Sequence, residues 1–228
     1  MTKAPARTIV FDLDGTLVDT APDLIDSLNA LFAREGLPPI PPTEARIMIG
    51  GGIKPLIERG LAYDRREFTP AHVDALFKDY VAHYAAHIAD RSRPFPGVEA
   101  ALDALARRGD RLAVCTNKLE WLTLRLLDAL KLTPRFATIC GQDTYGVQKP
   151  DPEVLRRTVA AAGGVLTHAM MVGDSGTDVR VARAAGIPVV AVDFGYTEVP
   201  IADLKPDRII SHFDALPAAL DAVAAAAS

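Results

Sequence analysis

Four short polar clusters carry the residue types that could do chemistry in this chain: Asp12-Leu13-Asp14-Gly15-Thr16, Thr116-Asn117-Lys118, Lys149-Pro150 and Gly173-Asp174-Ser175-Gly176-Thr177-Asp178. Together they contribute four aspartates, Asp12, Asp14, Asp174 and Asp178, and at least one lysine. Four carboxylates brought to one place repel one another and cannot all stay ionised without a counter-charge. A hard divalent cation with oxygen ligands meets that need, and Mg²⁺ suits a site that also holds a phosphate. Metal and lysine would then neutralise charge on a transferring phosphoryl group, which is most of what phosphoryl transfer asks of a protein.

The elements that carry the clusters predict that they meet. Residues 8–11 form a short apolar, mostly β-branched run ending in Asp12, the pattern of a buried strand that delivers a polar residue at its carboxyl end. Apolar runs at 112–115 and 169–172 precede the second and fourth clusters, and further strands are expected at 138–140, 189–192 and 208–210. Between them lie helical patterns at 98–108, 119–130, 153–162 and 177–185, three of them closed by glycine, and an alanine-rich helix ends the chain. Strands alternating with helices imply a parallel sheet covered on both faces.

Residues 21–91 have a different grammar. Leu24, Ile25, Leu28, Leu31 and Phe32 recur at helical spacing, and Thr43 is placed to cap a short helix. Gly50-Gly51-Gly52 interrupts before a helix at 53–62, and Thr69-Pro70 opens a helix that runs to about residue 89. No strand candidate occurs between Asp19 and Ser92. The expected fold is therefore α/β: a doubly wound, mainly parallel Rossmann-like core of residues 1–19 and 92–228, with an all-helical cap of residues 20–91 inserted just after the first strand. Ligands of such sheets bind beyond the carboxyl ends of the strands, so the cap would sit over the site.

An Asp-Leu-Asp-Gly-Thr behind a strand, a threonine behind the next, a Lys-Pro and a Gly-Asp-Ser-x-x-Asp, in that order, resemble the four motifs of the haloacid dehalogenase-like hydrolase superfamily. The likeness spans essentially the whole chain, and the helical insert looks like that superfamily's C1-type cap. The resemblance implies that Asp12 attacks phosphorus and forms an aspartyl-phosphate. It implies that Asp14 protonates the leaving oxygen and later takes a proton from water. Dehalogenating members lack an aspartate at the second position, so Asp14 points to a phosphatase. Thr116 and the backbone N–H of Asn117 would hold phosphate oxygens, and Lys149 would steady the charge on nucleophile and phosphate. Mg²⁺ would take oxygens from Asp12, Asp174 and the main-chain carbonyl of Asp14, with Asp178 acting through water or by orienting Lys149.

Within the superfamily the chain is most similar to bacterial phosphoglycolate phosphatases, on Asp12-Leu13-Asp14-Gly15-Thr16-Leu17-Val18-Asp19 with Pro22, on Ile49-Gly50-Gly51-Gly52, and on Gly195-Tyr196. The substrate so implied is 2-phosphoglycolate or a similarly small phosphorylated metabolite. Gly50, Gly51 and Gly52 would let backbone approach a small anion, or serve only as a linker between cap helices. Lys54 could reach a substrate carboxylate or remain solvated. A phosphosugar mutase of the same superfamily is the second reading, although no second phosphate site is apparent in the cap. A receiver phosphorylated on aspartate without turnover is the third, and it has no need of Asp14.

Composition removes other classes. A net charge of −4 argues against a nucleic-acid partner, which selects a basic surface. No apolar run approaches the ~20 residues of a membrane span, and the polar N-terminal residues lack the apolar stretch of a signal peptide. Cys115 and Cys140 lie in apolar runs, as free buried thiols do, and a cytoplasmic monomer or homodimer is expected. His83 and His87 stand one helical turn apart without a third ligand, so cap packing is expected of them, and Trp121 is expected in the core or as a helix-face anchor.

Overall fold

The computed structural model describes residues 6–197 and 199–226. Residues 1–5, which begin the polar N-terminal stretch, residue 198, and residues 227 and 228 at the end of the alanine-rich run lie outside the described residues. In chain order the first elements are β1 (Thr8–Phe11), β2 (Val18–Asp19), α1 (Ala21–Arg34), α2 (Pro42–Arg46), α3 (Ile53–Tyr63) and α4 (Pro70–Ala86). Next come β3 (Arg93–Pro94), α5 (Val98–Arg108), β4 (Arg111–Cys115), α6 (Glu120–Ala129), β5 (Thr138–Cys140) and α7 (Pro152–Ala161). The chain closes with β6 (Ala169–Gly173), α8 (Gly176–Ala185), β7 (Val189–Val192), β8 (Arg208–Ile210) and α9 (Leu216–Ala226).

Six strands form one sheet in the order β5-β4-β1-β6-β7-β8, and every neighbouring pair is parallel. The chain starts in the middle at β1, runs outward through β4 to β5, then crosses to β6 and runs outward the other way. β1 and β6 thus flank the point where winding reverses, the place such sheets use for ligands. β1 is buried at all four positions because helices cover both faces. Ile9 and Val114 pack with Leu102, Leu126 and Leu220 of α5, α6 and α9, whereas Val10, Ala113 and Met171 pack with Leu155, Val159 and Val181 of α7 and α8. The fold is the α/β architecture expected from the sequence.

Helices α1–α4 follow one another without a strand and bury Leu28, Phe32, Ile57, Leu61 and Tyr80 in an apolar cluster continuous with the sheet's. Two local expectations need correction, and a third is narrowed. Thr43 is not a cap, because α2 starts at Pro42 behind Pro41, and proline suits the first helical position, where no amide donor is needed. Helix α4 does open behind Thr69, whose side chain accepts from the His72 N–H at 3.2 Å, but it ends at Ala86, short of residue 89. Trp121, expected in the core or as a helix-face anchor, is 44% exposed on α6, which removes the core and leaves the helix face.

A short antiparallel ribbon of β2 and β3 joins the two ends of the helical segment, with Val18 opposite Pro94 and Asp19 opposite Arg93. Beside it, buried Asp23 accepts from the Arg91 N–H (3.0 and 3.1 Å), the Ser92 N–H (2.7 Å) and the Ser92 hydroxyl (2.6 Å). Asp23→Ala would leave those donors unpaired, and a loss of about 2–4 kcal/mol is expected. Urea denaturation checks it; a loss under about 1 kcal/mol, the size of a neutral surface hydrogen bond, would contradict this role.

Candidate active site

The clusters behind β1, β4 and β6, and the loop before α7, converge at the carboxyl edge of the sheet. A cavity of about 60 Å³ opens there, lined by Asp12, Asp14, Thr116, Asn117 and Lys118 from the sheet side and by Leu24, Ile49, Gly50, Gly51, Gly52, Ile53 and Leu56 from the helical segment. Asp12 caps β1, and its Oδ1 accepts from the Leu13 N–H at 2.7 Å. Carboxylate oxygens of Asp12, Asp174 and Asp178 lie within 4.8 Å of one another. The Lys149 ammonium stands between Asp12 (3.0 Å) and Asp178 (2.6 Å).

Close packing holds these carboxylates. Asp174 accepts from the Thr16 hydroxyl at 3.0 Å and from the Tyr196 N–H at 2.6 Å. Its side chain fits because Gly15, at φ +81°, and Gly195 have no side chain; a Cβ on either would overlap the Asp174 side chain. Asp178 sits on the first turn of α8 and accepts at Oδ2 from the Ser175 N–H (3.1 Å) and hydroxyl (2.7 Å), a reciprocal cap that leaves Oδ1 facing Lys149.

Three carboxylates share one ammonium, and the charge does not balance. Burial pushes the Asp12 carboxyl up to about 6, against the pull of Lys149 and with help from Asp178 and Asp14. Asp174 is also raised well above the carboxylate range, by burial and then by Asp178 and Asp12. Burial would lower Lys149, but Asp12 and Asp178 outweigh it and hold its ammonium above the ordinary lysine range. An all-oxygen donor set with surplus negative charge fits a hard divalent cation and fits no soft metal.

Asp14 faces a different partner. Both its oxygens accept from the Lys118 ammonium at 2.9 Å, and that ammonium lies 4.7 Å from the centroid of the Tyr84 ring of α4. Two carboxylates two residues apart thus stand in separate electrostatic settings. Thr116 is buried and accepts from the Lys118 N–H at 3.3 Å, and it does not cap α6, which starts behind Leu119. The Asn117 side chain bonds the Lys149 backbone twice, accepting from its N–H (3.0 Å) and donating to its carbonyl (2.9 Å), and so fixes the loop that presents the lysine.

Of the cap residues singled out in sequence, Gly50, Gly51 and Gly52 line the cavity and Lys54 does not. Lys54 pairs with Asp74 of α4 at 2.5 Å, half exposed, so the sequence expectation of a reach toward substrate has no support in its geometry. Gly52 sits where α3 begins, and a Cβ there would come 3.2 Å from Gln142 Oε1, so the glycine turn abuts the sheet side. Arg59 rivets that turn by donating to the Met48 and Gly50 carbonyls, both at 2.8 Å. The His83 and His87 rings lie 4.6 Å apart, and His83 contacts the Ser27 hydroxyl; neither joins a candidate metal cluster among the described residues. Lys118, Thr16 and Tyr196 carry contacts that sequence reasoning did not assign. Tyr196 donates its hydroxyl to Asp19 (2.5 Å) while accepting from the Ala21 N–H (2.9 Å), linking the Asp174 support to the start of α1.

The family model described as haloacid dehalogenase-like hydrolase matches residues 9–192. A phosphoglycolate phosphatase of Mesorhizobium japonicum is 50% identical over 208 residues, covering 91% of this chain and 92% of the relative. One of Caulobacter vibrioides is 47% identical over 212 residues, covering 93% and 90%. The crystal structure of a predicted phosphoglycolate phosphatase from Haemophilus somnus 129pt superposes with a TM-score of 0.86 at 29% identity, covering 93% of this chain and 97% of that one. Motif order, sheet topology and relatives agree, and the chain belongs to the haloacid dehalogenase-like hydrolase family.

Proposed function

We propose that this hydrolase is a Mg²⁺-dependent phosphatase acting on 2-phosphoglycolate or a similarly small phosphorylated acid, through a covalent aspartyl-phosphate on Asp12. The observation that carries the reading is the division between Asp12 and Asp14: both line one small cavity, one fixed by Lys149 and the other by Lys118. The names and identities of the relatives support the substrate. A cavity of about 60 Å³ suits a substrate of few atoms.

In the first step an Asp12 oxygen attacks phosphorus while the bond to the ester oxygen breaks, and Asp14 gives that oxygen a proton. In the second, Asp14 takes a proton from water as the water oxygen attacks phosphorus, and the bond to Asp12 breaks to release phosphate. Lys149 holds Asp12 aimed and ionised, and Asp178 holds Lys149. Thr116 and the Asn117 backbone N–H would receive phosphate oxygens, and Gly50–Gly52, at the start of α3, would offer the positive end of a helix to the acid. Asp12 and Asp174, with the Asp14 carbonyl, would hold Mg²⁺, and Asp178 would serve chiefly through Lys149. When bound, the ion supplies positive charge where the transferring phosphoryl group gathers negative charge.

Residues 20–91 would act as the cap over a core of residues 1–19 and 92–228. Every candidate group comes from one chain, so a monomer suffices and a homodimer is compatible. The two free cysteines fit a reducing, cytoplasmic setting. No helix among the described residues is long and apolar enough to cross a membrane.

Metal removal tests the ion. Burial holds the Asp12 carboxyl up to about 6 in the fold, above its ordinary value of 3.8, so between those values the folded state holds more protons than the unfolded one. Stability of metal-free protein should therefore fall as pH rises through that window, and the cost is fully present above it. Asp174 adds in the same direction. Mg²⁺ at one fixed concentration, a hundredfold above its Kd near about pH 7.5, should restore about 3 kcal/mol there. That corresponds to a Tm gain of about 5–10 °C, larger near about pH 7.5 than near about pH 5. Equal gains at the two pH values would contradict the assignment. The activity assay is phosphate release from 2-phosphoglycolate with Mg²⁺, expected to exceed release from hexose phosphates and to vanish with EDTA. Preferred release from a sugar phosphate, or isomerisation without release, would sink the substrate reading.

A further inference from the structure

Resting on that reading of the site as a phosphatase for small acids, we propose that Lys118 reads the carboxylate of the substrate, so that the enzyme selects phosphate esters of 2-hydroxy acids. A carboxylate entering this cavity meets Asp12 and Asp14, four apolar side chains and a glycine turn. A third carboxylate beside two others, with a phosphate behind it, needs a cation. Lys118 is the one cationic side chain among the described residues that line the cavity. The nearby cations Lys149, between Asp12 and Asp178, Lys54, on Asp74, and Arg46, over the Tyr196 ring, do not line the cavity, whereas Lys118 meets its partner Asp14 at the cavity wall.

Lys118 is also built to hold a carboxylate. Its side chain is 3% exposed, and its ammonium lies 2.9 Å from each oxygen of Asp14, the bidentate contact it would make with a substrate acid. The buried Tyr84 ring below it, 4.7 Å away, fixes the ammonium at the cavity wall without neutralising it. The Tyr84 hydroxyl has no hydrogen-bond partner among the described residues, so this aromatic sits there as a face and not as a polar contact. Asp14 marks where the ester oxygen must lie, because it has to reach that oxygen with a proton. In a phosphorylated 2-hydroxy acid a single carbon separates the ester oxygen from the carboxylate carbon. A cation in contact with Asp14 is therefore within reach of that carboxylate, and out of reach of one farther along a longer acid.

The test compares kcat/KM for 2-phosphoglycolate and for 2-hydroxyethyl phosphate, which has the same ester linkage and chain length but no carboxylate. Both are measured on one preparation, so any misfolded fraction cancels in the ratio. Wild type should prefer the acid, and Lys118→Met should reduce the ratio by on the order of 10–100-fold, chiefly through the KM for the acid. Lys118→Arg, which keeps a cation, should retain part of the preference. If wild type prefers the acid and Lys118→Met keeps the full preference while losing kcat on both esters, Lys118 only positions Asp14 and the inference fails. If the preference survives with both rates intact, the start of α3 reads the acid and the inference fails equally. A wild type with no preference for the acid overturns the substrate reading itself, and this inference with it.

Discussion

Asp12→Asn is expected to abolish phosphate release while leaving the fold at least as stable as wild type. The amide keeps the shape of the side chain and the contacts around β1, but it removes the attacking oxygen's charge. Loss of a nucleophile of this kind costs on the order of 10⁴–10⁶ in kcat. The stability effect has the opposite sign to that of an ordinary buried substitution. Asp12 stands beside Asp174 and Asp178 with one lysine among the three, and burial holds its carboxyl up to about 6. A neutral isostere relieves the cost of ionising it, by at most about 3 kcal/mol in metal-free protein at neutral pH. Thermal melting alongside the phosphate assay separates the outcomes. Turnover within about tenfold of wild type would end the nucleophile assignment, whatever the melting temperature.

Lys149→Met should lose activity and stability together. The ammonium is almost fully buried and contacts both Asp12 and Asp178, so its removal leaves three buried carboxylates with no protein cation among them. Breaking a buried pair from one side costs about 3–5 kcal/mol. Loss of a charge aimed at the transferring group costs about 10²–10³ in kcat. Mg²⁺ should recover part of the stability and little of the rate, since it replaces the charge but not the contact that aims Asp12. Urea denaturation with and without Mg²⁺, paired with steady-state rates, checks both halves. A variant as stable as wild type without metal would mean that the carboxylates are not ionised together, and the charge argument would fall.

The contrast between these variants follows from what the sequence made legible. Asp12, Asp14 and Asp174 each stand at or just past the end of a buried apolar run, and three strands, Thr138–Cys140, Val189–Val192 and Arg208–Ile210, lie where the pattern puts them. The runs at Thr8–Phe11, Ala169–Gly173 and Val189–Val192 are readable because a strand buried on both faces admits little else. Arg208–Ile210, by contrast, is exposed at its first two residues and shows only as a β-branched pair. The ribbon of Val18–Asp19 with Arg93–Pro94 was not readable, since two residues are too few to show a period and its pairing spans the entire helical insert. Lys118 escaped for a related reason. Its partner Asp14 lies 104 residues away and its aromatic seat comes from α4, so nothing local distinguishes it from a solvated lysine. Lys54 shows the converse: beside the glycine turn in sequence, it could reach a substrate or stay solvated, and its half-exposed pair with Asp74 one helix later leaves the solvated alternative. Local patterning predicts the sheet edge well, and long-range partners decide which charges face the substrate.

Covalent trapping identifies the nucleophile directly. Enzyme quenched during turnover of 2-phosphoglycolate with Mg²⁺ and treated with borohydride should have an acyl-phosphate reduced to an alcohol. Peptide mass spectrometry should then find homoserine at position 12, dependent on substrate and absent from Asp12→Asn. Homoserine at position 14 instead, or turnover with unmodified aspartate at both positions, would contradict the proposal that Asp12 is the nucleophile and Asp14 the proton carrier.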